Sequence, residues 1–146
     1  MSTRKLSKAD FETLANFRYQ LRRFLRFSEE LTRRNGVTPL QYQLMLQIRG
    51  FPGREWATVA ELAERLQAQH HGVVALVSRC EAVGLVSRSA SSSDLRRVEV
   101  RLTPAGRQVL EQLARLHRDE LRSVAAGFVV PGLDEPAEPA SRRPSR

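Results

Sequence analysis

TVAELAERLQAQHHGVVALVSRCEAVGLVSRSASSSDLRRVEVRLTP, residues 58–104, changes its hydrophobic period part-way along, and that change decides the fold. Thr58-Val59-Ala60-Glu61 is a capping box, in which Thr58 and Glu61 satisfy each other's free backbone N–H groups. It opens a short helix to about Gln67, and a break at Ala68-Gln69 follows. A second helix runs from about His70 to Val83, with Val73, Val74, Leu76, Val77 and Cys80 apolar and expected to face the core, and Gly84 as its stop. Beyond Gly84 the helical period is lost. Leu85–Ser89 reads as a strand, Ala90–Asp94 as a serine-rich loop, and Arg97–Leu102 alternates polar and apolar residues as a half-buried strand does.

Two short helices joined by a tight turn and followed at once by a β-hairpin describe a winged helix-turn-helix. The second helix is then the recognition helix, whose N-terminal residues enter the major groove of double-stranded DNA. Gln69, His70, His71 and Ala75 occupy its first exposed turns, and Gly72 lets the backbone come close to a ligand. The hairpin supplies the wing. Ser93 suits phosphate contacts, and Arg96 and Arg97 beyond Asp94 suit the narrow, electronegative minor groove.

Upstream, Thr38-Pro39-Leu40-Gln41 starts another helix, which ends at Gly50-Phe51-Pro52-Gly53. Before it, Leu14, Phe17, Leu21, Phe24 and Leu31 form one stripe of a long helix from about Ser7 to Arg34, with Ser7 as its cap and Asn35-Gly36 as its stop. Its other face carries Arg18, Arg22, Arg26 and Arg33. Downstream, Thr103-Pro104 opens a last long helix with Val109, Leu113, Leu116, Val124 and Phe128 on one side. Trp56 is expected near a short strand that pairs with the wing. The fold expected is mainly α with a small β-hairpin (α+β). Residues 1–37 form an N-terminal dimerisation helix, 38–102 the DNA-binding lobe and 103–130 a C-terminal dimerisation helix. Residues 131–146 form a disordered tail marked by Pro131, Pro136, Pro139 and Pro144.

Composition points the same way. The chain has 146 residues and a formal net charge of +8, carried by 24 basic and 16 acidic side chains. An excess of this size favours polyanions, nucleic acid or an anionic membrane surface. Lysines number only two, Lys5 and Lys8; the arginine bias suits phosphate and guanine recognition, and genome base composition produces the same bias. Cys80 stands alone, which excludes an internal disulfide and fits a reducing cytosol. The N-terminus carries no secretory signal and no apolar run is long enough to span a membrane, so a cytoplasmic location without membrane contact is expected.

Asp94-Leu95-Arg96-Arg97 through Leu102-Thr103-Pro104-Ala105-Gly106 resembles the wing signature of the MarR family of winged helix-turn-helix regulators: an Asp, an Arg two positions on, then Leu-Thr and a Gly. Leu76-Val77-Ser78-Arg79, with Glu81 and Gly84-Leu85-Val86, resembles the end of that family's recognition helix, and Thr38–Tyr42 the start of its second helix. The resemblance covers about residues 7–130 and implies an obligate homodimer whose N- and C-terminal helices interlock. Leu14, Phe17, Leu21, Leu116, Val124 and Phe128 are then the interface, and Ser78 and Arg79 join the DNA-contacting set. It also implies repression of nearby genes, relieved by a small-molecule effector in a pocket between the dimer helices and the DNA lobe, with Phe24, Phe27 and Tyr42 as wall candidates. The chain departs from the family at Ser78, where an acidic residue is usual and ties the helix to the wing. Asp94 is expected to hold Arg79 or Arg96 instead. Cys80 stands where Leu is usual.

No cofactor, metal or catalytic role is expected. His70 and His71 point about 100° apart on a helix, and His117 is far along the chain. Cys80 and His71 lie roughly 14 Å apart at 1.5 Å per residue, beyond nucleophile–base reach. The rival readings are a sequence-tolerant DNA-coating protein, since charge alone gives affinity, and a winged-helix module that binds protein.

Overall fold

The computed structural model describes residues 4–132. Five helices and three short strands follow in the order α1 (Lys8–Arg34), α2 (Pro39–Arg49), β1 (Trp56–Thr58), α3 (Val59–Leu66), α4 (His70–Ala82), β2 (Val86–Ala90), β3 (Val98–Leu102) and α5 (Pro104–Val124). The Pro-rich tail expected from residue 131 lies, beyond residue 132, outside the described residues.

The helix starts are set locally. The Ser7 hydroxyl accepts from the Asp10 N–H while the Asp10 carboxylate accepts from the Ser7 N–H at 2.7 Å. Thr38 with Gln41 and Thr58 with Glu61 close the same reciprocal pair, so the first-turn donors that a helix cannot satisfy internally find partners within three residues. Helix α3 ends at Gln67, a non-glycine residue in the left-handed region (φ 51°). Its side-chain amide donates to the Glu64 carbonyl at 2.7 Å, and the Ala68 N–H to that of Ala63 at 3.0 Å. Three residues thus turn the chain from α3 into α4.

The sheet order is β1-β3-β2, antiparallel throughout, so the second hairpin strand lies between its partner and Trp56–Thr58. Its Val100, fully buried like Ala57 opposite it, faces a core built from Leu44, Met45 and Ile48 of α2, Leu62 of α3, Val73 and Val77 of α4, and Leu113 of α5. Removing this apolar surface from water is the main stabilising term, about 25 cal/mol per Å².

A backbone joint ties this lobe to α5. Thr103 donates its hydroxyl to the Gly84 carbonyl (2.6 Å) and its N–H to the Leu85 carbonyl (3.1 Å), and its hydroxyl accepts from the Gly106 N–H. A β-carbon on Gly106 would lie 2.0 Å from the Leu85 carbonyl oxygen, so only glycine fits there. The glycine of the wing signature is a packing residue.

The structure corrects two expectations. Helix α5 ends at Val124 and passes into a 3-10 turn, Ala125–Gly127, so Phe128 lies beyond the helix, not on its stripe. Val74 does not face the core. It is 37% exposed, because its position turns it from Val73 and Val77 toward the wing.

Candidate nucleic-acid interface

Helix α4 buries Val73, Leu76, Val77 and Cys80 on one side. His71, Ala75, Ser78 and Ala82, spaced by four, three and four residues, run along the opposite side and are all exposed. This outward strip is narrow and its side chains are small beyond His71. Gly72 and Arg79 flank it, both exposed, and a β-carbon on Gly72 would meet nothing within 4 Å. The chain's own packing therefore does not require glycine there. Gln69 is the N-cap of α4 but makes no side-chain cap bond, so its amide is not committed to the helix end.

The other flank faces the wing across a cleft of about 650 Å³, which His70 and Val74 line together with Val59, Val98 and the arginines Arg88, Arg96 and Arg97. Helix and wing are joined at its base. The Glu81 carboxylate accepts from both the side chain and the backbone N–H of Arg88, each at 3.0 Å. Those bonds hold the Glu81 carboxyl below its ordinary pKa. This pair supplies the helix-to-wing tie that Ser78 cannot make.

The wing tip is folded by its own side chains. The buried Ser91 hydroxyl accepts from the N–H groups of Ser93 (3.2 Å) and Asp94 (3.3 Å) and shares a hydrogen bond with the Ser93 hydroxyl. Asp94 accepts from the Arg96 N–H at 3.0 Å, and its backbone carbonyl from the Arg97 N–H at 3.0 Å. Of the two partners expected for Asp94, Arg96 is the one it holds. This turn leaves the Arg96 side chain 95% exposed. Arg97 lies back over the Trp56 ring, 5.9 Å from its centre. Ser93 and Asp94 thus serve the wing's own turn, and sequence reasoning passed over Ser91, which nothing distinguishes locally from Ser92 and Ser93.

Among the remaining candidates, Tyr42 is buried and stacks on His117, with ring centres 4.3 Å apart. Burial pushes its hydroxyl pKa up. Phe24 and Phe27 meet the same imidazole edge-on. His117 Nδ1 bonds the Leu113 carbonyl and Nε2 lies 2.7 Å from the Ser28 hydroxyl, so this side chain joins α5 to α1 and α2. Spacing gave no sign of it, since Ser28 and His117 are 89 residues apart. Phe24 and Phe27 also line a hollow of about 480 Å³ with Tyr19, Arg23, Glu120 and Val124. Phe17 and Phe128 pack edge-on against each other at 5.6 Å. Leu14 and Leu116 are 45% and 39% exposed, and Leu21 is half-buried. Cys80 is fully buried, and burial pushes its thiol up to about 11, so at neutral pH it is a protonated packing group.

A model of the MarR family matches residues 35–97, from the end of α1 to the wing. Over these residues the chain is similar to the MarR family. Among curated proteins it is 31% identical over 96 residues to a protein described as a candidate transcriptional regulator for the hcr operon of Thauera aromatica. The match takes in 66% of this chain and 56% of that relative's length. Among solved structures the chain resembles AbsC, a MarR-family transcriptional regulator of Streptomyces coelicolor (TM-score 0.72, 20% identity, 88% of this chain and 86% of that one). It also resembles a cysteine-to-serine mutant of E. coli MarR complexed with operator DNA (TM-score 0.64, 23% identity, 75% and 76%). At these identities the structures share the fold, a helical body with the three-stranded wing sheet. Among the described residues no helix is long and apolar enough to cross a membrane.

Proposed function

We propose that this chain is a transcription regulator of the MarR family, a binding protein and not an enzyme, that reads double-stranded DNA as a homodimer and represses nearby genes. The observation that carries the reading is the pairing of the outward strip of α4 with an Arg96 side chain that the wing turn leaves bare to solvent. His71, Ala75 and Ser78 enter the major groove, with Gln69, His70, Gly72 and Arg79 beside them. Arg96 reaches the adjacent minor groove, Ser93 and Asp94 shape the wing turn that aims it, and Arg97 meets the phosphate backbone at the wing root. The likeness to a structure solved with operator DNA supports this placement.

The dimer reading rests on the apolar stripe that α1 and the end of α5 leave in water, including Phe11, Leu14, Leu25 and Leu121. A second copy covers it, with Phe17, Leu21, Leu116, Val124 and Phe128 in or beside the seam. Two recognition helices related by a two-fold axis read half-sites about one helical turn, roughly 10 base pairs, apart. The hollow beside Phe24 and Phe27 takes a small-molecule effector, with Tyr42 behind its wall. Effector binding there moves α5 against α1 and so shifts the DNA lobes.

Selection of duplexes from a random pool, followed by competition with random-sequence DNA, tests the reading. An inverted repeat that outcompetes random DNA by about 10³-fold or more is the expected outcome. Equal competition would establish the sequence-tolerant coating protein instead.

A further inference from the structure

We propose that Trp56 is a positioning residue for the wing, holding the Arg97 guanidinium ready for a DNA phosphate. This rests on the DNA-binding reading above. Guanidinium and aromatic groups alternate from the helix-turn-helix to the wing root. Arg65 of α3 lies 4.7 Å from the centre of the Phe51 ring. Arg54 lies 4.0 Å from that ring and 3.9 Å from the Trp56 ring, and Arg97 lies 5.9 Å from Trp56. Three cations share two rings, with one carboxylate in contact, Glu61 on Arg54. Arg54 Nε is buried and has no hydrogen-bond partner among the described residues, and the guanidinium is held by the two rings and by Glu61. Arg54 is thereby spent inside the fold.

Arg97 differs, because it is exposed and its backbone is fixed on both sides, by the N–H of Ser91 and the carbonyl of Asp94. A cation–π approach to a ring uses up no N–H group, so the Arg97 donors stay available for bidentate phosphate contact. Without the ring the same side chain is a flexible arm whose rotamer freedom must be lost on binding. The fold also anchors the wing on both edges. Glu81–Arg88 ties β2 to the recognition helix, and Trp56, on β1, meets Arg97 at the start of β3. The Trp56 contact therefore sets where the second wing arginine sits relative to the helices.

The test uses the full chain and a duplex of roughly 30 base pairs, recovered by the wild-type protein from a random pool and long enough for two half-sites. Trp56→Leu should weaken binding about five-fold. It should leave the slope of log affinity against log salt unchanged, because the Arg97 charge is still present, whereas Arg97→Ala should lower that slope by about one. The double variant should bind no worse than Arg97→Ala alone, and Trp56→Phe should keep most of the affinity. Trp56 is the sole tryptophan, so its emission should change on DNA binding in the wild type and change less in Arg97→Ala. If Trp56→Leu fails to fold, Arg97→Lys, which keeps the charge but not the planar guanidinium, should show the five-fold loss with an unchanged slope. Additive losses, full affinity in Trp56→Leu or full affinity in Arg97→Lys would overturn the proposal. Arg96→Ala separates it from the parent reading. If that variant weakens binding while Trp56 is neutral, only the positioning role fails, and if the wild type binds no duplex, both fail.

Discussion

Helix α2, with eleven residues, buries Tyr42, Leu44, Met45 and Ile48, whereas α1, with twenty-seven, buries Thr32 alone. The two helices neighbour each other in sequence and both carry apolar stripes. In the DNA lobe each stripe finds its cover within the chain, from the sheet on one side and α4 and α5 on the other. Along α1 the stripe meets α5 only at His117 and the segment after α5 at the Phe17–Phe128 contact, and the rest stays in water. Burial is worth about 25 cal/mol per Å², so a folded lobe and an unfinished pair of arms differ in what completes them. The lobe is complete as one chain, and the arms are complete once a second copy is added, as proposed above.

The strongest attack on the comparison is at the joint between the two regions. Gly106→Ala forces a β-carbon into the Leu85 carbonyl, and neither partner is a flexible side chain. Chemical denaturation should show a loss of about 3 kcal/mol or more, and a variant as stable as the wild type would mean that lobe and arm are not rigidly joined. Next comes the arm itself. Leu21→Asp with Phe128→Asp places two charges in the apolar seam, and sedimentation should find a monomer or an unfolded chain. A stable, DNA-binding dimer from this pair would sink the assignment of the arms.

On the lobe, Arg96→Ala should weaken operator binding by about 1–3 kcal/mol and lower the salt slope by about one. Its melting temperature should stay put, since the side chain is 95% exposed. Arg101, ion-paired to Glu99 on the strand, is the control and should matter less. Gly72→Ala sharpens the same contrast, because stability and function should move in opposite directions. An alanine in open space should stabilise α4 by about 0.5–1 kcal/mol, yet reduce affinity if the helix backbone beds closely in the groove. Unchanged affinity would show that it does not.

The smallest effect belongs to Glu81. Its pKa is lowered by the hydrogen bonds from Arg88, so the tie contributes stability above the ordinary value of 4.5 and loses it as pH falls through the lower folded value. Thermal melts should therefore show wild type above Glu81→Gln at neutral pH, with the gap closing below about pH 4.5. A gap that persists in strong acid would mean that shape, not charge, makes the tie.

What the amino-acid order determined by itself was whatever depends on neighbours three or four residues apart. Ser7, Thr38, Thr58 and Thr103 announce helix starts because each cap closes on the residue three places on. Gly84 announces a stop, and alternation from Arg97 to Leu102 announces a strand. The outward strip of α4 and the bare wing arginine follow from the same short periods. Tertiary structure decided the contacts that join distant segments. Val74 fell on the wing side because burial on α4 is settled by what packs against it, and a hydrophobic label does not specify a direction. Gly106 owes its identity to a carbonyl 21 positions earlier, and His117 meets a hydroxyl 89 positions away. The Arg65–Phe51–Arg54–Trp56–Arg97 series draws on α3, a turn, β1 and the wing. Such contacts leave no period in the sequence, because the chain must first fold before the groups that make them are neighbours.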